Sequence, residues 1–173
     1  MRAPMGQARG YSDMGRAWLF PMFIAGLAAT VVAMVGATMT TIDPWYDALV
    51  KPHWAPPDGA YGIVWTLIFA VTALAAVTGW RAMPNAREGD TLIGLFAING
   101  FLNILWSILF FRLHRPDWAV ADVALLWLSV GALIVYSWRR SMLASALLTP
   151  YLLWVTCAGY LNLQIVHLNH LFG

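Results

Sequence analysis

Four tryptophans stand well inside apolar runs of this chain: Trp65, Trp106, Trp127 and Trp154. An indole offers a wide π face for stacking and one N–H to donate. Indoles at that depth in a helix bundle either pack the core or line a cavity for a flat aromatic molecule, and the residues alone leave both readings open. Nearby polar residues narrow the geometry. Asn99, Asn103 and Trp106 follow i, i+4, i+7 and share one helix face, while Trp154, Ala158, Leu161 and Asn162 share a face of another helix. An amide in hydrocarbon needs partners, so both faces should point inward. Plain helix–helix hydrogen bonding, worth about 1 kcal/mol per contact, accounts equally well for Asn103 and Asn162. Ala158 is small and leaves room beside Trp154, where a bulky residue should obstruct a ligand or disturb packing.

Titratable groups that could do chemistry are few. Asp122 lies about one turn into an apolar run. A functional carboxylate is one reading; an acid favoured by the helix dipole and still reaching the interface is the preferred one. Lys51, the sole lysine, either meets an acidic ligand group or pairs with Asp47 one turn back. His53 has no partner in sequence. His167 and His170 have metal-pair spacing, but no carboxylate or cysteine accompanies them, so an interfacial position is expected and no metal site is assigned. The lone cysteine, Cys157, forms no intramolecular disulfide and reads as a small buried hydrophobe. There is no Gly-rich phosphate loop, nucleophile elbow or zinc motif.

The elements that must position these residues follow from composition. The 173 residues are 61% hydrophobic and only 10% charged, against about 25% charged in soluble domains. Such a chain could not cover a soluble surface, and the reading is an all-α integral membrane protein. Five runs of roughly 20 residues or more can each cross about 30 Å of hydrocarbon. They are about 17–39, 60–80, 91–111, 118–138 and 142–168, forming a five-transmembrane-helix bundle with a Pro/Trp-rich loop between helices 1 and 2. Residues 1–16 read as a mobile leader, and 17–173 as a single membrane domain. Pro21 falls in the first turns of the first span, where proline is tolerated, and Pro150 is expected to kink the last. Gly26, Ala29, Ala33 and Gly36 give the first span a small-residue face suited to close helix contact. Trp18, Trp80, Trp118 and Trp138 lie near span ends, as an interfacial belt would. Seven Lys and Arg fall on the N-terminal side and three on the other, which predicts a cytoplasmic N-terminus if the protein resides in an inner membrane. No basic cluster suggests nucleic acid.

The first loop holds Trp45-Tyr46-Asp47-Ala48-Leu49-Val50-Lys51-Pro52-His53-Trp54-Ala55-Pro56-Pro57. Its prolines make it stiff, and its aromatics suit a lid over the outer ends of the helices. This stretch, with Trp65-Thr66, Asn103-x-x-Trp106, Phe110-Phe111, Pro150-Tyr151-Leu152-x-Trp154 and Ala158-x-x-Leu161-Asn162, resembles the signature of the TspO/MBR family, the tryptophan-rich sensory proteins of bacteria and the translocator protein of mitochondria. The match runs from about Phe20 to Asn162.

The resemblance implies a porphyrin ligand such as protoporphyrin IX, held in a pocket beneath the first loop, a homodimer in the lipid bilayer, and no obligatory cofactor. Carried over by motif, the pocket comprises Trp45, Trp54, Trp65, Asn103, Trp106, Trp127, Trp154 and Ala158, with Lys51 as a contact for ligand carboxylates. Some bacterial members are reported to degrade protoporphyrin in light, and Trp65 and Trp154 match the tryptophans implicated there. The cholesterol-recognition pattern of mitochondrial relatives needs a basic residue after a tyrosine in the last helix. Tyr160 is present, but no Lys or Arg follows Arg140, which argues against sterol binding by that route. Relatives are reported in both inner and outer bacterial membranes. Three functions therefore compete: a tetrapyrrole-binding sensor or carrier; a light-dependent porphyrin-degrading enzyme using Trp65 and Trp154; and a structural or regulatory membrane partner that works through the small-residue face of the first helix.

Overall fold

Each apolar run becomes one long helix because polar or proline-bearing segments start and stop it. A computed structural model describes residues 10–40 and 43–171, the side chains of residues 10–18 and 20 excepted. Helix α1 spans Gly10–Met39, the short α2 Pro44–Ala48, α3 Asp58–Arg81, α4 Ala86–Ser107, α5 Pro116–Trp138 and α6 Met142–Leu168. The starts carry their own signals. Asn85 caps α4 by accepting from Glu88 N–H at 3.0 Å, Ser141 caps α6 by accepting from Ala144 N–H at 3.2 Å, and Pro116 opens α5. Among the described residues, five helices are long and apolar enough to cross a membrane, with spans at Pro21–Met39, Asp58–Arg81, Ala86–Arg112, Pro116–Trp138 and Met142–Leu168. The architecture is a five-helix integral membrane bundle.

Two features of α1 differ from expectation. The helix starts at Gly10 rather than near Ala17, so the later part of the expected leader is helical; residues 1–9 lie outside the described residues, as does the side chain of Trp18. Pro21 is consequently interior to α1 and marks where its apolar span begins, rather than lying in the first turns of the helix.

The helices close into a ring. α5 packs on α6, α6 on α3, α3 on α1, α1 on α4 and α4 on α5. The core lies on the side of this ring away from α1, around Leu92, Leu126, Val130, Leu133, Leu148, Tyr151 and Val155. The α1 span has no residue fully buried. It approaches α4 closely at Gly100, where a Cβ would stand 3.2 Å from Val32 Cγ2. Elsewhere its small residues leave a gap: a Cβ built on Gly26 would meet no atom of a neighbouring helix within 4 Å among the described residues. The small face of α1 therefore borders a void inside the ring.

At its loop end α4 continues into a π-helical turn, Ile108–Arg112. Leu109 and Phe110 are buried there and Phe111 is half-buried. At the opposite end, Arg140 pairs with Glu88 at 2.6 Å and Tyr136 OH donates to the Glu88 carbonyl at 3.1 Å, joining α4 to α5.

Candidate functional site

A hydrogen-bonded core braces the three helices behind the void. Tyr151 OH donates to Asn99 Oδ1 at 3.1 Å and accepts from Asn103 Nδ2 at 3.3 Å. Asn99 Nδ2 donates to Ser129 Oγ at 2.8 Å, and Ser129 donates to the Leu126 carbonyl at 2.7 Å. Both α4 amides thus find partners on α5 and α6, which is why that face turns inward. Asn162, oriented to satisfy both amide groups, donates to the Pro116 carbonyl and accepts from Val120 N–H, each at 3.2 Å.

In front of this network lies a cavity of about 860 Å³. Gly26, Ala33 and Gly36 of α1 form one wall, Tyr61, Trp65 and Phe69 of α3 another, and Trp154, Ala158 and Asn162 of α6 a third. Asn103, Trp106, Phe110 and Phe111 close the α4 side. Its volume falls in the range of about 300–1,000 Å³ typical of ligand sites. Trp65 meets Trp154 edge to face, with centroids 6.3 Å apart and planes at 87°. Trp106 stacks on Phe110 at 5.2 Å. The Trp154 Nε1–H is buried with no hydrogen-bond partner among the described residues.

Of the residues expected to form a pocket, Trp65, Asn103, Trp106, Trp154, Ala158 and Lys51 line this cavity. Trp45, Trp54 and Trp127 are placed elsewhere. Trp127 stands on the outer surface, its Nε1–H donating to Thr156 Oγ1 at 2.9 Å across the α5–α6 seam. Trp54 is exposed and stacks on Tyr160 at 5.4 Å. Trp45 stacks on His114 at 4.1 Å and meets Phe110 edge to face at 5.9 Å, behind the cavity wall. Tyr46, Tyr61, Phe69 and Asp58 join the lining without having been singled out by sequence.

Three other expectations are corrected. Asp122 does not reach the interface: it is 4% exposed, and neither carboxylate oxygen has a hydrogen-bond partner among the described residues. Cys157 is exposed on the outer surface of α6. Lys51 pairs not with Asp47 but with Asp58, Nζ to Oδ1 at 3.6 Å. Helix α2 stops at Ala48 and Leu49 is extended, so the one-turn spacing between Asp47 and Lys51 is lost.

The lid is fastened at three points. Asp43 caps α2 by accepting from Tyr46 N–H at 3.0 Å, and its other oxygen meets His114 Nε2 at 3.2 Å. Tyr46 OH donates to Asp58 at 2.9 Å, and Lys51 Nζ lies 3.6 Å over the Tyr46 ring. Burial pushes the Tyr46 phenol well above its usual range, so the group stays a donor to Asp58. Asn169, beyond α6, accepts from Val50 N–H at 2.9 Å and donates to the Val50 carbonyl at 3.0 Å. Asn169→Ala is expected to remove this clamp at about 1 kcal/mol and to speed amide exchange at Val50, leaving exchange of the α3–α6 core unchanged.

The Asp43 cap should also be acid-sensitive. The Tyr46 N–H, helped by His114, holds the Asp43 carboxyl below its ordinary 3.8. A depressed carboxylate stabilises the lid fully above that ordinary value and loses the contribution as pH falls through its folded value. Protection of the Tyr46 amide, taken against its intrinsic exchange rate at each pH, is therefore expected to fall as pH drops below 3.8, and Asp43→Asn should flatten that fall.

The comparisons with known proteins fit this architecture. The model of the TspO/MBR family matches residues 22–168. A tryptophan-rich protein TspO of Chlorobaculum tepidum is 41% identical over 144 residues, covering 80% of this chain and 89% of the relative. A tryptophan-rich sensory protein of Cereibacter sphaeroides is 34% identical, covering 86% and 91%. The human translocator protein is 31% identical, covering 73% and 75%. With its signature residues spread along the full bundle and its five spans in place, the chain belongs to the TspO/MBR family.

Proposed function

We propose that this protein is a membrane tetrapyrrole-binding sensor or carrier that takes a protoporphyrin-like macrocycle into the bundle cavity. One observation carries the reading: a mostly apolar cavity of about 860 Å³ is walled by Trp65, Trp106 and Trp154, with its charged side chains gathered on the lid side. Flat apolar rings suit a macrocycle by stacking, and burial of its faces would supply the main driving force. Lys51 adds a charge at the mouth. The names of two relatives, a sensory protein and a translocator protein, fit a sensor and a carrier respectively. A homodimer in a bacterial membrane, with the N-terminus cytoplasmic, completes the reading.

The test is tryptophan-fluorescence quenching by protoporphyrin IX on the purified protein in the dark. Saturable quenching with a stable porphyrin absorption band is the expected result. Quenching that rises linearly without saturation would end the reading.

A second reading has one specific observation in its favour. Trp65 and Trp154 both line the cavity and stand 6.3 Å apart, so a bound photosensitiser would touch both. Light-dependent porphyrin breakdown predicts protein-dependent bleaching under illumination that is lost in Trp65→Phe/Trp154→Phe. Equal bleaching with and without those indoles would remove them from any such reaction.

A further inference from the structure

We infer that Asp58 is a specificity-determining residue of this cavity, selecting neutral or esterified tetrapyrroles over the free dicarboxylic acid; the inference rests on the tetrapyrrole reading above. Lys51 and Asp58 are the charged side chains among the described residues of the lining. They stand 3.6 Å apart, Nζ to Oδ1, with side chains 25% and 45% exposed. Lys51 alone would make the cavity mouth an anion receptor. Asp58 cancels that charge, and the same oxygen already accepts from Tyr46 OH at 2.9 Å.

An incoming carboxylate must therefore share Lys51 with a fixed carboxylate, or displace it. Asp58 stands at the first turn of α3, and its carboxylate is tethered by the Tyr46 hydroxyl at 2.9 Å, so withdrawing it from Lys51 costs that hydrogen bond. A ligand whose edge is neutral meets no such conflict, and one that carries a hydrogen-bond donor finds an acceptor. The Coulomb conflict is moderated by solvent, because both side chains are partly exposed; its size is that of a partly screened pair at about 4–5 Å, or roughly fivefold in affinity.

The experiment compares protoporphyrin IX with its dimethyl ester, by fluorescence quenching at low salt, on the unsubstituted protein, Asp58→Asn and Lys51→Met. The side-chain amide introduced by Asp58→Asn keeps a carbonyl oxygen for Tyr46 OH while removing the charge. Asp58→Asn is expected to tighten binding of the acid about fivefold and to leave the ester within about twofold. Lys51→Met, which leaves Asp58 without its counter-charge at the mouth, should weaken the acid about fivefold and spare the ester. It also serves as the informative variant if Asp58→Asn does not fold. Added salt should shrink both differences. If both compounds saturate the unsubstituted protein and the acid-to-ester ratio stays constant in every folded variant, the inference is overturned while the tetrapyrrole reading survives. If neither compound saturates the unsubstituted protein, both fall together.

Discussion

Ala158→Phe is expected to weaken protoporphyrin binding more than tenfold, about 1.4 kcal/mol or more, while the protein still folds. Ala158 lines the cavity one turn along α6 from Trp154. A phenyl group there grows into open space and competes with the macrocycle for the face of Trp154. Where a substitution forces atoms into a filled core it costs about 1–3 kcal/mol in stability; a side chain entering a void avoids most of that. The control is the adjacent position. Cys157 is exposed on the outside of the same helix, so Cys157→Phe adds the same bulk without approaching the cavity and should leave binding unchanged. Quenching titrations on the two variants, with melting curves alongside, separate obstruction from misfolding. Equal affinity in both variants would place the ligand outside this cavity.

Tyr151→Phe should destabilise the bundle by removing one atom. The tyrosine is 2% exposed, and its hydroxyl is both donor to Asn99 and acceptor from Asn103. Deleting it leaves two amides on α4 short of a partner in a dry interior. Each unsatisfied buried group costs about 1–3 kcal/mol, although measured side-chain hydrogen bonds in membranes average nearer 0.6. A loss of about 1–2 kcal/mol follows, or a few degrees in melting temperature for a chain of this length. Asn99→Ala in the Tyr151→Phe background should cost less than the same change in the unsubstituted protein, because the shared bond is already gone. Strict additivity would mean that the two groups do not act as one network.

The bundle was legible in the sequence because hydrocarbon tolerates few patterns. A run without charges that is long enough to cross must be a helix, and proline, asparagine and arginine mark where it ends. The inward faces of α4 and α6 were legible for a related reason: Asn99, Asn103 and Asn162 needed partners, and their helical phase carried Trp106, Trp154 and Ala158 with them. Trp127 shows the limit of that logic. Its depth along α5 says nothing about the direction in which it points, and no buried amide shares its face to fix the phase. The start of α1 was misplaced because polarity ends a membrane span without ending a helix. Asp58 escaped notice because it falls between the first-loop stretch that ends at Pro57 and the second span, expected from about residue 60. Its role depends on Tyr46 and Lys51 folding back over it, a contact between loop and helix that no periodicity encodes. The burial of Asp122 was likewise hidden, since position near a helix start does not reveal what packs around it.

The π turn at Ile108–Arg112 has an implication for how this chain is aligned and altered. A turn closed by i→i+5 bonds holds one residue more than an ordinary turn would, so it acts as a built-in insertion that resets the numbering phase between Asn103 and the loop. Three consecutive residues, Leu109, Phe110 and Phe111, can thereby face the bundle, where a regular helix would rotate one of them out to lipid. Removing a single residue from this stretch would let the turn close as ordinary α-helix, keeping the phase of the chain beyond it but leaving room for only two of these three side chains on the bundle side. A homologue one residue shorter here should be expected to carry an ordinary α turn with the flanking register kept, and a gap placed anywhere else in the alignment would assign the wrong residues to the cavity wall.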